Sequence, residues 1–147
     1  MNISVRYQSR GGNTKTVAEL IAKTAGVAAE VYDAPVAEPI DVLFIGGGVY
    51  AWDIDKGLKA WLRTLTPDKV KTIAPFSTAG GFDGAKRIAK IAKASGVDVL
   101  EQLPVKVMLR SHAAIAKSGS LMLKDSEEAA IATFARCVLE INKRNPA

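Results

Sequence analysis

The chain has 147 residues and a net charge of +5, from 20 Lys and Arg against 15 Asp and Glu. That length suits one domain over residues 1–147 with a substantial core, and no apolar run is long enough for a membrane helix. One histidine (His112) and one cysteine (Cys137) exclude the usual zinc sets and any intramolecular disulfide. No basic start precedes an apolar leader, so the expectation is a cytoplasmic protein without a membrane partner.

Asn2-Ile3-Ser4-Val5-Arg6-Tyr7 alternates as a half-buried strand, with Ile3, Val5 and Tyr7 on one face. After it, Val17, Leu20, Ile21 and Thr24 recur at helical spacing. Between them lies Gln8-Ser9-Arg10-Gly11-Gly12-Asn13-Thr14, a glycine-bearing turn rich in hydroxyls. Such a turn lets backbone approach an anion, and the first N–H groups of the helix point at it. Ser9, Asn13, Thr14 and Thr16 add side-chain donors. The plainer alternative is a strand-to-helix turn with Asn13 as N-cap. The spacing matches no Gly-x-x-x-x-Gly-Lys-Ser/Thr loop and no Gly-x-Gly-x-x-Gly fingerprint.

Gly26 stops the first helix, and residues 27–32 read as a second strand. Pro35 and Pro39 mark a loop where a helix would otherwise come. Asp41 to Gly46 is a near-continuous apolar run, as in a central parallel strand buried on both faces. Lys56 to Leu65 reads as a helix with Leu58, Trp61, Leu62 and Leu65 inward, and Lys71 to Ser77 as a fourth strand. Ala85 to Ser95 is helical, ended by Gly96, and residues 97–108 form a last strand interrupted by Pro104. Residues 110–123 read as a loop, and the acidic run from Lys124 opens a final helix. Five strands alternating with helices predict an α/β three-layer sandwich: a five-stranded parallel sheet, covered on both faces, with right-handed crossovers.

Ser9-Arg10-Gly11-Gly12-Asn13-Thr14 resembles the flavodoxin phosphate loop, Thr/Ser-x-Thr-Gly-Asn-Thr, and occupies the same place after the first strand. Gly11 departs from the usual Thr, and Arg10 adds a positive charge. The resemblance implies strand order 2-1-3-4-5, with the ligand at the switch between strands one and three. It implies FMN as cofactor, held by three loops. Ser9, Arg10, Gly11, Gly12, Asn13 and Thr14 would take the phosphate. Gly48, Val49, Tyr50, Ala51 and Trp52 would flank one ring face, with Tyr50 or Trp52 stacking. Ser77, Thr78, Ala79, Gly80, Gly81, Phe82 and Asp83 would flank the other. Phe82 directly precedes Asp83-Gly84, whereas the family's aromatic lies further forward. Ala51 stands where the family's glycine lets a carbonyl turn toward the flavin; an alanine there resists positive φ, so electrons are expected to pass in pairs.

No nucleophile with a positioned base is legible, and no catalytic or metal-binding residue is assigned; the redox chemistry would be the cofactor's. The expected function is an electron-transfer flavoprotein working with a redox partner protein or a small-molecule donor or acceptor, as a monomer or weak dimer. Alternatives are a small FMN-dependent NAD(P)H or quinone reductase, or a flavodoxin-fold module that has lost FMN. Oxidation of NADH or NADPH without an added partner would separate reductase from carrier. A receiver-like signalling domain is excluded by Tyr7 and Gly46, which stand where its acidic cluster would be. Nucleic acid is not expected: Lys86, Arg87, Lys90 and Lys93 line an ordinary amphipathic helix with no aromatic among them.

Overall fold

Near-continuous apolarity in the middle of the chain produces a strand buried on both faces, and the rest of the domain is layered on it. The computed structural model describes residues 1–78, 84–100, 105–106 and 125–144, with only the main chain described at 105–106. The central strand is β3 (Ile40–Gly47). Val42 and Phe44 point to one side, Leu43 and Ile45 to the other, and all four are fully buried. Period-two alternation thus feeds two cores from one strand.

The sheet also contains β1 (Ile3–Gln8), β2 (Ala29–Val31), β6 (Val70–Ser77), β7 (Asp98–Val99) and β8 (Val105–Lys106). Its order is β2-β1-β3-β6-β7, with β8 also paired to β6, and every pairing is parallel. This is the predicted 2-1-3-4-5 order, with the fifth strand divided in two. Pro75 sits opposite the division. Leu100 donates its N–H to the Ile73 carbonyl, so residue 73 faces the fifth strand, and so does residue 75 two positions on. A proline has no N–H to offer there. β7 accordingly pairs with Thr72 and Ile73, and β8 with Phe76 and Ser77.

Helix α1 (Asn13–Ala25) packs on one face with the last helix, here α4 (Asp125–Arg144). Their inward residues Val17, Ala18, Ile21, Ile131, Phe134 and Val138 join Val5, Val42, Phe44 and Phe76 in one core. Phe44 and Phe134 meet edge to face, with ring centroids 5.9 Å apart. Helices α2 (Lys56–Arg63) and α3 (Gly84–Ala94) cover the other face through Leu58, Leu62, Ile88, Ile91 and Ala92. Among the described residues, no helix is long and apolar enough to cross a membrane.

Element boundaries differ from the sequence reading in small, physical ways. The second strand is three residues rather than six, because only residues 29–31 find partners on β1. β3 runs through Gly47, one residue beyond the expected end at Gly46, and a Cβ on Gly46 would lie 2.1 Å from the Phe76 ring, so the aromatic fills the space that glycine leaves. Helix α2 ends at Arg63, though Leu65 beyond it is still buried. Trp61 is only half-buried, its ring edge-on to Tyr32 at 6.2 Å. Pro104, His112 and the 110–123 segment lie outside the described residues.

The loop carrying Pro35 is held by an arginine. Arg6 is 3% exposed, and its guanidinium donates to the carbonyls of Tyr32 (3.0 Å), Ala34 and Pro35 (3.1 Å) and to Ser4 Oγ (3.1 Å). Burial lowers its pKa from the ordinary arginine value, against the raising influence of Glu30 and Asp33.

Candidate functional site

Parallel strands all deliver their following loops to the same edge of the sheet, and in this strand order β1 and β3 diverge there. The β1–α1 turn presents backbone donors at this edge. Gly12 is the N-cap of α1 at φ 91°, a left-handed conformation suited to glycine, and no side chain caps the helix. Asn13 is therefore the first helical residue and not the N-cap. The first intrahelical bond runs from the Thr16 N–H to the Gly12 carbonyl (3.0 Å). That register leaves the N–H groups of Asn13, Thr14 and Lys15 without intrahelical acceptors. Ser9 Oγ accepts from the Gly12 N–H (3.0 Å) and shapes the turn. A Cβ placed on Gly11 or Gly12 would meet nothing within 4 Å, so the space over the turn is open. No acidic residue stands in the first turn of α1.

Two buried side-chain acceptors have no hydrogen-bond partner among the described residues: Gln8 Oε1, at the end of β1, and Asn13 Oδ1, at the first helical position. Gln8 is only 8% exposed. Sequence reading passed over it, although its polar side chain falls on the face of β1 shared by Ser4 and Arg6, where an apolar residue would be ordinary. Thr14 turns inward: its hydroxyl is 2.9 Å from the Thr78 hydroxyl at the end of β6, and both are buried. This bond ties the first loop to the third. Ser77 is buried at the end of β6, against the α3 N-terminus, where a Cβ on Gly84 would come within 2.8 Å of Ser77 Cβ. Ala79, Gly80, Gly81, Phe82 and Asp83 lie outside the described residues.

The second loop is a β-hairpin that the sequence reading did not anticipate. β4 (Val49–Tyr50) pairs antiparallel with β5 (Asp53–Ile54), leaving Ala51-Trp52 as a two-residue turn. Both turn residues have positive φ, 50° and 66°. Positive φ at both central positions is the pattern of a type I′ hairpin turn, normally filled by Asn-Gly. Ala51, expected to resist positive φ, adopts it, and Trp52 does so beside it, each at a steric cost. Trp52 is 76% exposed, the most exposed large apolar side chain among the described residues, and does not fold onto the core.

Tyr50 bends back over Gly48, where a Cβ would lie 2.8 Å from its hydroxyl. The Arg10 N–H donates to that hydroxyl (3.2 Å), and the Arg10 guanidinium lies over the Tyr50 ring at 3.8 Å. The same guanidinium donates to Asp55 Oδ1 (3.0 Å), while Asp55 Oδ2 caps α2 by accepting from the Leu58 N–H (3.1 Å). Burial alone would raise the Asp55 pKa; hydrogen bonds from Arg10, Leu58 and Gly57 outweigh it and leave the carboxyl lowered. Arg10 thereby connects the first loop, the hairpin and the start of α2. Asp55 carried a sequence signal, an aspartate immediately before a helix.

Asp53 anchors the other side of the hairpin, with Lys59 at 2.6 Å on α2 and Arg87 at 3.1 Å on α3. The Lys59 hydrogen bond leads the lowering of its pKa from 3.8 to about 2. No pattern in the sequence paired these three residues, because each lies on a different element.

No family model matches the sequence, and no curated protein does. Solved structures do. A flavodoxin from the domain Archaea superposes with a TM-score of 0.74 at 18% identity, over 97% of this chain and 99% of that one. Oxidised flavodoxin 2 from Bacillus cereus gives 0.72 at 17% identity, over 96% and 99%. Rubredoxin:oxygen oxidoreductase from Desulfovibrio gigas gives 0.58 at 17%, over 94% of this chain but 37% of that one. Sheet order, helix layers and these superpositions agree: the chain has the flavodoxin fold over nearly its whole length.

Proposed function

We propose that the chain binds FMN non-covalently at the carboxyl edge of its sheet and transfers electrons through it. The carrying observation is the uncapped start of α1. Three N–H groups without intrahelical acceptors and an open glycine turn meet at the point where β1 and β3 diverge. A terminal phosphate fits that turn by size, charge and donor set: it accepts from N–H groups, gains from the helix dipole, and meets no carboxylate in the first turn.

Bound FMN would supply the one- and two-electron chemistry. The chain would supply position and field. The N–H groups of Asn13, Thr14 and Lys15 hold the phosphate, and Arg10, already beside the turn, offsets its charge. Asn13 Oδ1, at the first helical position, would offer an acceptor to a hydroxyl of the ligand's sugar chain. Trp52, exposed on the hairpin turn, would give an aromatic wall, with Tyr50 beside it under the Arg10 guanidinium, and the Thr14–Thr78 bond ties the first loop to the end of β6. Flavodoxins among the structural neighbours support this reading.

Titration of FMN into the purified chain, followed by flavin fluorescence, tests it. One equivalent should bind with saturable quenching. Gly12→Ala, which forces a side chain into a left-handed position, should weaken binding by about tenfold or more. Absence of uptake at high micromolar excess would remove the proposal.

A further inference from the structure

Charge on the described helices is one-sided. Helices α2 and α3, which share one face of the sheet, carry Lys56, Lys59, Arg63, Lys86, Arg87, Lys90 and Lys93 and no acidic residue. On the opposite face, α1 and α4 together carry five residues of each sign. Asp55 caps α2 with a carboxylate, but the first turns of α2 and α3 carry cations. Lys56 and Lys59 open α2, and Lys86 and Arg87 open α3, at the positive ends of the helix dipoles where carboxylates are favoured. Helix α4 obeys the usual rule, with Asp125, Glu127 and Glu128 in its first turn and Lys143 and Arg144 in its last. Helix α1, which also starts at the candidate site, has Lys15 and no acidic residue in its first turn. Asp53 accounts for Lys59 and Arg87; among the described residues, Lys56, Arg63 and Lys90 have no ion pair.

This face ends at the hairpin. Trp52, exposed and held at a strained turn, projects there, and the Asp53 bridges to α2 and α3 fix the hairpin to the basic layer. Tryptophan and arginine are among the residue types enriched at the energetic centres of protein interfaces. We propose that the surface running from Trp52 along Lys56, Arg63 and Lys90 docks an acidic partner protein, the electron donor or acceptor of the flavin reading above, on which this inference rests. Redox encounters are small and short-lived, and charge complementarity raises their association rates more than their affinity. Single-stranded nucleic acid would call for several aromatics along the basic groove, whereas this surface exposes one, Trp52 at its end, with Trp61 half-buried. A membrane surface would call for an apolar helix face, but those of α2 and α3 are buried in the core.

The test is a binding measurement on the full chain, which needs no flavin. The probe is a small acidic [2Fe–2S] ferredoxin, read by amide chemical shifts and by Kd. Affinity should fall about tenfold or more as ionic strength rises from about 20 to about 200 mM. The triple variant K56E/R63E/K90E should lose about tenfold at low salt, whereas K23E/R136E/R144E, with the same change in net charge on the other face, should stay within about twofold. Circular dichroism should be unchanged in both. Equal losses in the two variants would reduce the effect to net charge and overturn the proposal. Tighter binding of a DNA duplex or of anionic-lipid vesicles to the same residues would also overturn it. A chain that docks ferredoxin through this face but takes up no FMN would leave the docking surface standing and remove the flavin reading.

Discussion

Ala51→Gly should stabilise the protein, which is unusual for a change to glycine. Ala51 sits at φ 50°, where its Cβ crowds the following carbonyl. A left-handed conformation costs a non-glycine residue about 1–2 kcal/mol. Glycine removes that strain but adds about 0.4–1 kcal/mol of unfolded-state entropy to be lost on folding. Ala51 is exposed, so little apolar burial is lost with its methyl group. The net gain is about 0.5–1 kcal/mol, a rise in Tm of about 1–4 °C for a chain of this size. Ala60→Gly supplies the internal control, since Ala60 is exposed inside helix α2. There the same change should destabilise by about 1 kcal/mol. Differential scanning calorimetry at neutral pH reads both. Opposite signs support the strained hairpin; if Ala51→Gly lowers Tm as Ala60→Gly does, the turn is not held at positive φ and the argument fails.

Arg6→Met should cost about 2–4 kcal/mol in urea unfolding, because it leaves the carbonyls of Tyr32, Ala34 and Pro35 without their shared donor; a loss under about 0.5 kcal/mol would refute that role. The Asp53 carboxyl is lowered in the folded chain from 3.8 to about 2, so its pairing with Lys59 and Arg87 stabilises fully above the unfolded value. That contribution should fade as pH falls from about 4 to about 2, and Asp53→Asn should flatten this part of the acid-unfolding curve; an unchanged curve would count against the bridge. Arg10→Ala should weaken FMN binding by about tenfold while leaving the fold intact; equal affinity would place the guanidinium outside the phosphate site.

Much of the fold was legible because its signals are local and periodic. The alternation in Ile3, Val5 and Tyr7, the apolar run through β3 and the helical spacing of Val17 and Ile21 each state their burial within one element. Parallel strands joined by helices then left few topologies, and the observed sheet order is among them. The glycine turn before α1 was readable for the same reason, since Gly11-Gly12-Asn13-Thr14 lies between a strand and a helix that announce themselves.

What only the tertiary structure decided depends on residues far apart in the chain. The hairpin was missed because Ala51-Trp52 lacks turn chemistry; it forms where the flanking strands and the Asp53 bridges impose it. That Gly46 leaves room for Phe76, that Pro75 faces the divided fifth strand, and that Arg6 holds the Pro35 loop follow from packing across 26 or more positions. The gathering of cations on one face is of the same kind. Residue content set the sum of charges, but the layering of α2 beside α3 gave that sum a direction, because a field depends on where charges stand and not on how many there are.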